Sequence, residues 1–107
     1  MADIPRTGIY LFVQFNWPEN MNEEVAQKAA DLHKILQGET TWIRETLAAS
    51  GGVGSGPSSW WVFWLENYGA LDRLLKDRKD PIAQAYYSFF SSMMDMSEAV
   101  REEVLFR

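Results

Sequence analysis

The stretch Ser58-Ser59-Trp60-Trp61-Val62-Phe63-Trp64-Leu65-Glu66-Asn67 constrains the fold most, because it places three of the chain's five tryptophans within five residues. An apolar run of this length, from Trp60 to Leu65 and bounded by turn formers, reads as a strand buried on both faces. A helix interior also accommodates such a run, but aromatic and β-branched side chains favour the strand. A Gly/Ser segment leads in, and Asn67 leads out toward a helix. Successive strand side chains point to opposite faces, so Trp60, Val62 and Trp64 share one face and Trp61, Phe63 and Leu65 the other.

A second alternation begins after Gly8. Ile9, Leu11, Val13 and Phe15 form a purely apolar face suited to helices, while Tyr10, Phe12, Gln14 and Asn16 form a mixed face suited to an interface or pocket wall. Trp17-Pro18 ends this strand. Asn20 stands three residues before Glu23, an N-cap spacing, and predicts a helix to about Gln37 with Val25, Ala29, Leu32 and Leu36 on its apolar stripe. Gly38 is placed to close it. Glu39 to Ser50 reads as the next strand, with Thr40, Trp42, Arg44, Thr46 and Ala48 alternating with Thr41, Ile43, Glu45 and Leu47.

Residues 51–58 form a Gly-rich hairpin loop. A phosphate-binding loop needs a lysine beside Ser/Thr and a helix after it; here the lysine is missing and a strand follows. Asn67 caps a helix carrying Leu71, Leu74 and Leu75, and Asp80-Pro81 opens another as N-cap and N1. That last helix is expected to hold Ile82, Tyr86, Phe89, Met93 and Met96 on one stripe, with Tyr87, Phe90 and Met94 about 100° around it. Val100 to Phe106 is expected as a fourth strand, whose charges suit an edge.

The order βαββ-α(α)-β is an α+β, ferredoxin-like split βαββαβ arrangement: a four-stranded antiparallel sheet with helices on one face. The 107 residues make one domain, 1–107, with residues 1–7 as an N-terminal lead. A net charge of −5 without a basic patch argues against nucleic acid as a partner. The chain has no cysteine, which removes thiolate chemistry, and no apolar run resembling a signal peptide or a membrane span, so a soluble cytoplasmic protein without membrane partners is expected. Aromatic residues make up 14% of the chain, more than so small a core needs, which points to an interface or a ligand cleft for the surplus.

The segment Trp61-Val62-Phe63-Trp64-Leu65-Glu66-Asn67-Tyr68-Gly69-Ala70-Leu71-Asp72-Arg73-Leu74-Leu75-Lys76-Asp77 runs an aromatic strand into an acidic residue and a Leu-Asp-x-Leu-Leu helix. In this it resembles the dimeric α/β-barrel superfamily, most of all its small NIPSNAP-like and stress-responsive members, and the likeness extends from about Gly8 to Phe106. The resemblance implies a homodimer whose two sheets meet face to face in a barrel, and a pocket between sheet and helices. Relatives of this kind include cofactor-free monooxygenases acting on polycyclic aromatics, polyketide cyclases and haem-degrading enzymes, so the fold alone does not select an activity.

Candidate residues follow from chemistry. His33, the only histidine, suits a general base or a haem ligand. With Asn16 and Arg44 it forms the expected catalytic set, which would position and deprotonate a substrate. Tyr10, Phe12, Gln14, Trp42, Trp61 and Phe63 are the expected substrate contacts. Tyr68, Tyr86 and Tyr87 offer phenol donors without an evident base beside them. No metal site and no cofactor is expected. The first reading is a cofactor-independent monooxygenase- or cyclase-like protein that acts on or binds an aromatic or polyketide-like molecule. The alternative is a non-catalytic dimeric module, and the third is a haem-binding or haem-degrading relative. Which face of the sheet meets the partner subunit is left open.

Overall fold

The computed structural model describes residues 8–38 and 41–104. Its elements are β1 (Ile9–Asn16), α1 (Glu23–Leu36), β2 (Ile43–Ser50), β3 (Ser59–Leu65), α2 (Tyr68–Lys76), α3 (Pro81–Phe90) and β4 (Met94–Glu102). The strands form one sheet in the order β2-β3-β1-β4, and every pairing is antiparallel. This is the ferredoxin-like α+β arrangement expected from the element order.

β1 lies between β3 and β4, and its alternation decides the two faces. Leu11 pairs with Phe63 on one side and Val100 on the other, while Tyr10 pairs with Trp64 and Arg101. Ile9, Leu11, Val13 and Phe15 are buried, as are Trp61, Phe63 and Leu65 of β3. Against this face pack Leu32 of α1, Leu74 of α2, and Ile82, Tyr86, Phe89 and Phe90 of α3. The rings meet mostly edge to face: Phe15 with Phe89 and Phe90, Trp61 with the same pair, and Phe63 with Tyr86. That geometry sets positive ring edges on negative ring faces. Trp61, Phe63 and Leu65 therefore face the helices, and Trp60, Val62 and Trp64 face away.

Several expected boundaries move. The N-cap of α1 is Asn22 rather than Asn20: its Oδ1 accepts from the Val25 N–H at 2.9 Å, which leaves Asn20 outside the helix. β2 begins at Ile43, and the part of its expected start at Glu39 and Thr40 lies outside the described residues. The ladder shifts between Ile43 and Glu45, so Ile43 pairs with Leu65 while Glu45 pairs with Trp64. This bulge at Arg44 parts Ile43 from Glu45 and Leu47, which strict alternation had placed on one face.

The largest change is at the C-terminal end. α3 stops at Phe90, and Met94 and Met96 belong to β4 instead of the helix. Met93 and Met96, three apart, mimic a helical stripe. Pairing with β1, from Asn16 opposite Met94 to Ile9 opposite Glu102, instead gives those backbone groups ladder partners. β4 is an edge strand, as expected, and the expected Leu105 and Phe106 lie outside the described residues.

The start of β1 is clasped. The Gly8 N–H donates to Glu103 Oε1 at 2.7 Å, and the Glu103 N–H donates to the Gly8 carbonyl at 3.0 Å. Trp64 Nε1 donates to the same Oε1 at 3.0 Å, and Arg44 Nη1 stands 3.9 Å from it. A Cβ on Gly8 would lie 2.3 Å from the Leu65 carbonyl oxygen and 2.8 Å from Trp64 Nε1. Gly8→Ala is therefore expected to destabilise the protein by about 1–3 kcal/mol through backbone displacement. Urea denaturation measures it, and an unchanged midpoint would show that the clasp tolerates a methyl group.

Candidate functional site

The sheet face turned away from the helices is built by alternation alone. β1 supplies Tyr10, Phe12 and Gln14; β3 supplies Trp60, Val62 and Trp64; β2 adds Glu45, Leu47 and Ala49; β4 adds Ser97, Ala99 and Arg101. Tyr10 stacks on Trp64 with centroids 6.2 Å apart, and Phe12 on Trp60 at 5.7 Å. These four rings are half-buried, and Leu47 is 57% exposed. No described helix lies over them.

The expected catalytic set does not assemble within one protomer. Asn16 ends β1, where its Nδ2 donates to Asp95 Oδ2 at 2.9 Å and its Oδ1 accepts from the Ser58 N–H at 2.9 Å. It thus ties the Gly-rich loop to the start of β4, and both ends of its amide are occupied. Arg44 is at the opposite end of β1, its guanidinium 5.2 Å from the centre of the Trp64 ring. A strand the length of β1 keeps the two about 20 Å apart, at roughly 3.3 Å per residue. His33 is exposed on α1, its Nε2 3.0 Å from Gln37 Nε2. It lines none of the clefts described below, so it is placed neither as their general base nor as a haem ligand within them. Helical geometry turns it about 100° from its neighbour Leu32, which takes the buried position.

The expected substrate contacts divide between the two sides of the sheet. Tyr10, Phe12 and Gln14 are on the open face. Trp61 and Phe63 are buried among the helices, and Trp42 is buried beneath Arg73 of α2, whose guanidinium lies 4.5 Å from the ring centre. One pocket wall cannot include both groups, because the sheet backbone separates them.

Two clefts border the helix layer. The larger, about 600 Å³, lies between the end of α1, the approach to β2 and the start of α3, with Trp42, Arg73 and Asp80 in its wall. Its charged groups already hold the structure together. Arg73 Nε and Nη2 donate to Asp80 Oδ2 at 2.7 and 2.6 Å, while Asp80 Oδ1 accepts from the Ile82 and Ala83 N–H groups at the start of α3. Burial by itself pushes the Asp80 carboxyl up. The Arg73 hydrogen bond, the two backbone donors and the Arg73 charge outweigh burial and hold it below the ordinary carboxylate value.

The smaller cleft, about 280 Å³, lies between α3 and the helix-facing side of β4. Leu75, Phe90 and Met96 give it apolar walls. Across it the buried Tyr86 hydroxyl donates to Glu98 Oε2. Burial, then the hydrogen bond to Glu98 and its charge, pushes the Tyr86 phenol far above its ordinary value, so it stays a protonated donor. The Arg78 guanidinium lies 4.5 Å from the centre of the Tyr87 ring at the same cleft. Tyr86 was visible in the sequence as a phenol without a base. Its partner was missed because Glu98 fell outside the expected strand. The available signal was the spacing of two from Met96 through Glu98 to Val100. Among the described residues, no three His, Asp or Glu side chains gather as metal ligands, and no helix is long and apolar enough to cross a membrane.

Comparison with protein-family models and with curated proteins finds no match. Solved structures do match. A hydroxynitrile lyase from Passiflora edulis superposes with a TM-score of 0.71 at 12% identity, covering 94% of this chain and 96% of that one. A dimeric ferredoxin-like protein of unknown function from Thermobifida fusca gives a TM-score of 0.64 at 16% identity, covering 92% of each chain. At these identities the likeness is one of fold.

The Asp80 geometry carries a pH prediction. A carboxyl held below its ordinary value contributes stability above that value, and the contribution is lost as pH falls through it toward the folded one. Asp80→Ala is expected to cost about 2–3 kcal/mol at pH 7, combining a lost cap with a broken ion pair that Arg73 partly offsets by hydration. The gap between variant and parent is expected to close below about pH 4. Denaturation at several pH values measures it; a gap constant down to pH 2 would assign the loss to packing instead.

Proposed function

We propose that the protein works as a homodimer of the dimeric α/β-barrel type, joined through the open sheet faces, and that each protomer binds a small hydrophobic or aromatic molecule between sheet and helices. The observation that carries this reading is the uncovered face of Tyr10, Phe12, Trp60 and Trp64, continuous with Val62 and Leu47. A contiguous apolar surface left in water is unfavourable, and a second copy removes it. Charged groups stand toward its margins, with Arg44 and Glu103 at one end and Arg101 on the β4 edge, as at the rim of an interface. The Thermobifida fusca neighbour is described as dimeric, which supports a dimer here as well. A hydroxynitrile lyase on this fold supports a role with small molecules.

A second observation favours binding without catalysis by the expected set. Asn16 is occupied by Asp95 and Ser58, Arg44 lies over Trp64 near Glu103, and His33 faces outward. None of the three is placed to share a substrate with the others in a protomer.

Light scattering on a sizing column at micromolar protein is expected to give twice the 12.3 kDa chain mass. Leu47→Glu and Val62→Glu, on neighbouring strands of the open face, are each expected to weaken the dimer by at least about tenfold, or 1.4 kcal/mol, with the circular dichroism unchanged. A monomeric parent, or a dimer that neither variant disturbs, would remove the interface from this face.

A further inference from the structure

We infer that the cleft between α3 and β4 is the ligand site, and that it takes a single-ring aromatic acid bearing a hydroxyl: the ring against Phe90 and Met96, the acid at Arg78, the hydroxyl donating to Glu98. This rests on the small-molecule half of the reading above and is independent of the dimer.

Size sets the class. A dry apolar cavity of about 150 Å³ admits benzene. The cleft's 280 Å³, open to solvent on one side, accommodates one ring with two substituents. Its apolar wall, Leu75, Phe90 and Met96, suits a ring.

The polar groups set the substituents. Glu98 receives the Tyr86 hydroxyl on Oε2, and no described residue donates to its Oε1. A carboxylate is an acceptor only, so the complementary ligand group is a donor. Tyr86 is itself buried among Phe63 and Phe90, which fixes its hydroxyl, and that hydroxyl orients one oxygen of the exposed Glu98 carboxylate. It is a positioning residue. Because the phenol stays protonated, it holds Glu98 as an acceptor instead of competing with it for a donor. On the other side, Arg78 stacks on Tyr87 and forms no ion pair with a described carboxylate. In a chain of net charge −5, such a cation is a local attraction for an anion that the whole molecule repels. A cation and an acceptor bordering one apolar gap match a ligand with an acid and a hydroxyl on one ring.

The test is a titration followed by backbone amide NMR, using 4-hydroxybenzoate, benzoate and phenol as probes. 4-Hydroxybenzoate is expected to shift amides of α3 and β4 around Tyr86 and Glu98, and to bind at least about tenfold more tightly than either single-function probe. Arg78→Gln is expected to weaken 4-hydroxybenzoate and benzoate while leaving phenol unchanged. Glu98→Gln is expected to weaken 4-hydroxybenzoate and phenol while leaving benzoate unchanged. Tyr86→Phe should reproduce the Glu98→Gln pattern more weakly, whereas general loosening of the fold would weaken all three probes together. Shifts at another surface, or binding indifferent to Arg78→Gln and Glu98→Gln, overturn the site and leave the small-molecule reading standing. Equal binding of the three probes overturns the ligand class. If none binds at millimolar concentration the site is overturned, and if a wider set of single-ring compounds also leaves every amide unmoved, the small-molecule reading falls with it.

Discussion

The register of β1 between its two neighbours is the constraint on which the rest of the molecule depends. β1 is hydrogen-bonded along both edges, with Leu11 set opposite Phe63 and Val100. Side chains alternate with a period of two, so this registration assigns every residue of β1 and β3 to a face at once. A slip of one residue would send Leu11 and Phe63 to solvent and pull Tyr10 and Trp64 under the helices. Both ends of the strand are pinned against that slip. Glu103 clasps Gly8 and Trp64 at one end, and Asn16 bridges Ser58 and Asp95 at the other.

Two-sidedness follows from the register and accounts for the aromatic surplus. Under the helices, Phe15, Trp61, Phe63, Phe89 and Phe90 close into an edge-to-face cluster, with Phe63 and Phe89 fully enclosed. Packing takes up nearly all of their surface, and of these rings only Phe90 also borders the cleft between α3 and β4. On the open face, the rings of Tyr10, Phe12, Trp60 and Trp64 stack along the sheet and keep part of their surface in water. An apolar-walled cleft lies where α3 passes β4, and across it the Tyr86 hydroxyl reaches Glu98. Interface and cleft are therefore on opposite sides of the sheet and draw on different residues.

Much of this was legible along the chain. The alternations from Ile9 and from Trp60 place their residues on the observed faces, and Asp80-Pro81 starts α3 with the cap geometry its residue types imply. Each of these signals is local: a strand's alternation and a cap's hydrogen bonds depend on a few neighbouring residues. The signals that misled were local as well. Met93 and Met96 continue a helical spacing past a helix that stops at Phe90, and Asn20 mimics a cap that Asn22 supplies.

The sequence by itself determined the first three strands, the approximate helices, the order of the elements and the two-faced character of the central strands, because each depends on periodicity that the backbone converts directly into direction, whereas most of β4 was hidden under a helical spacing. Only the tertiary structure decided which chemical groups meet. His33, Asn16 and Arg44 are plausible partners by type, yet they end on a helix surface and at opposite ends of a strand. Tyr86 and Glu98, unremarkable in the linear chain, are brought together because β4 pairs with β1 in a register that turns Glu98 toward α3. Such a meeting depends on long-range pairing, which no local period encodes. The opening tryptophan strand shows both halves: its alternation separates Trp61 from Trp60 and Trp64, but only helix packing decides that Trp61 is the one enclosed.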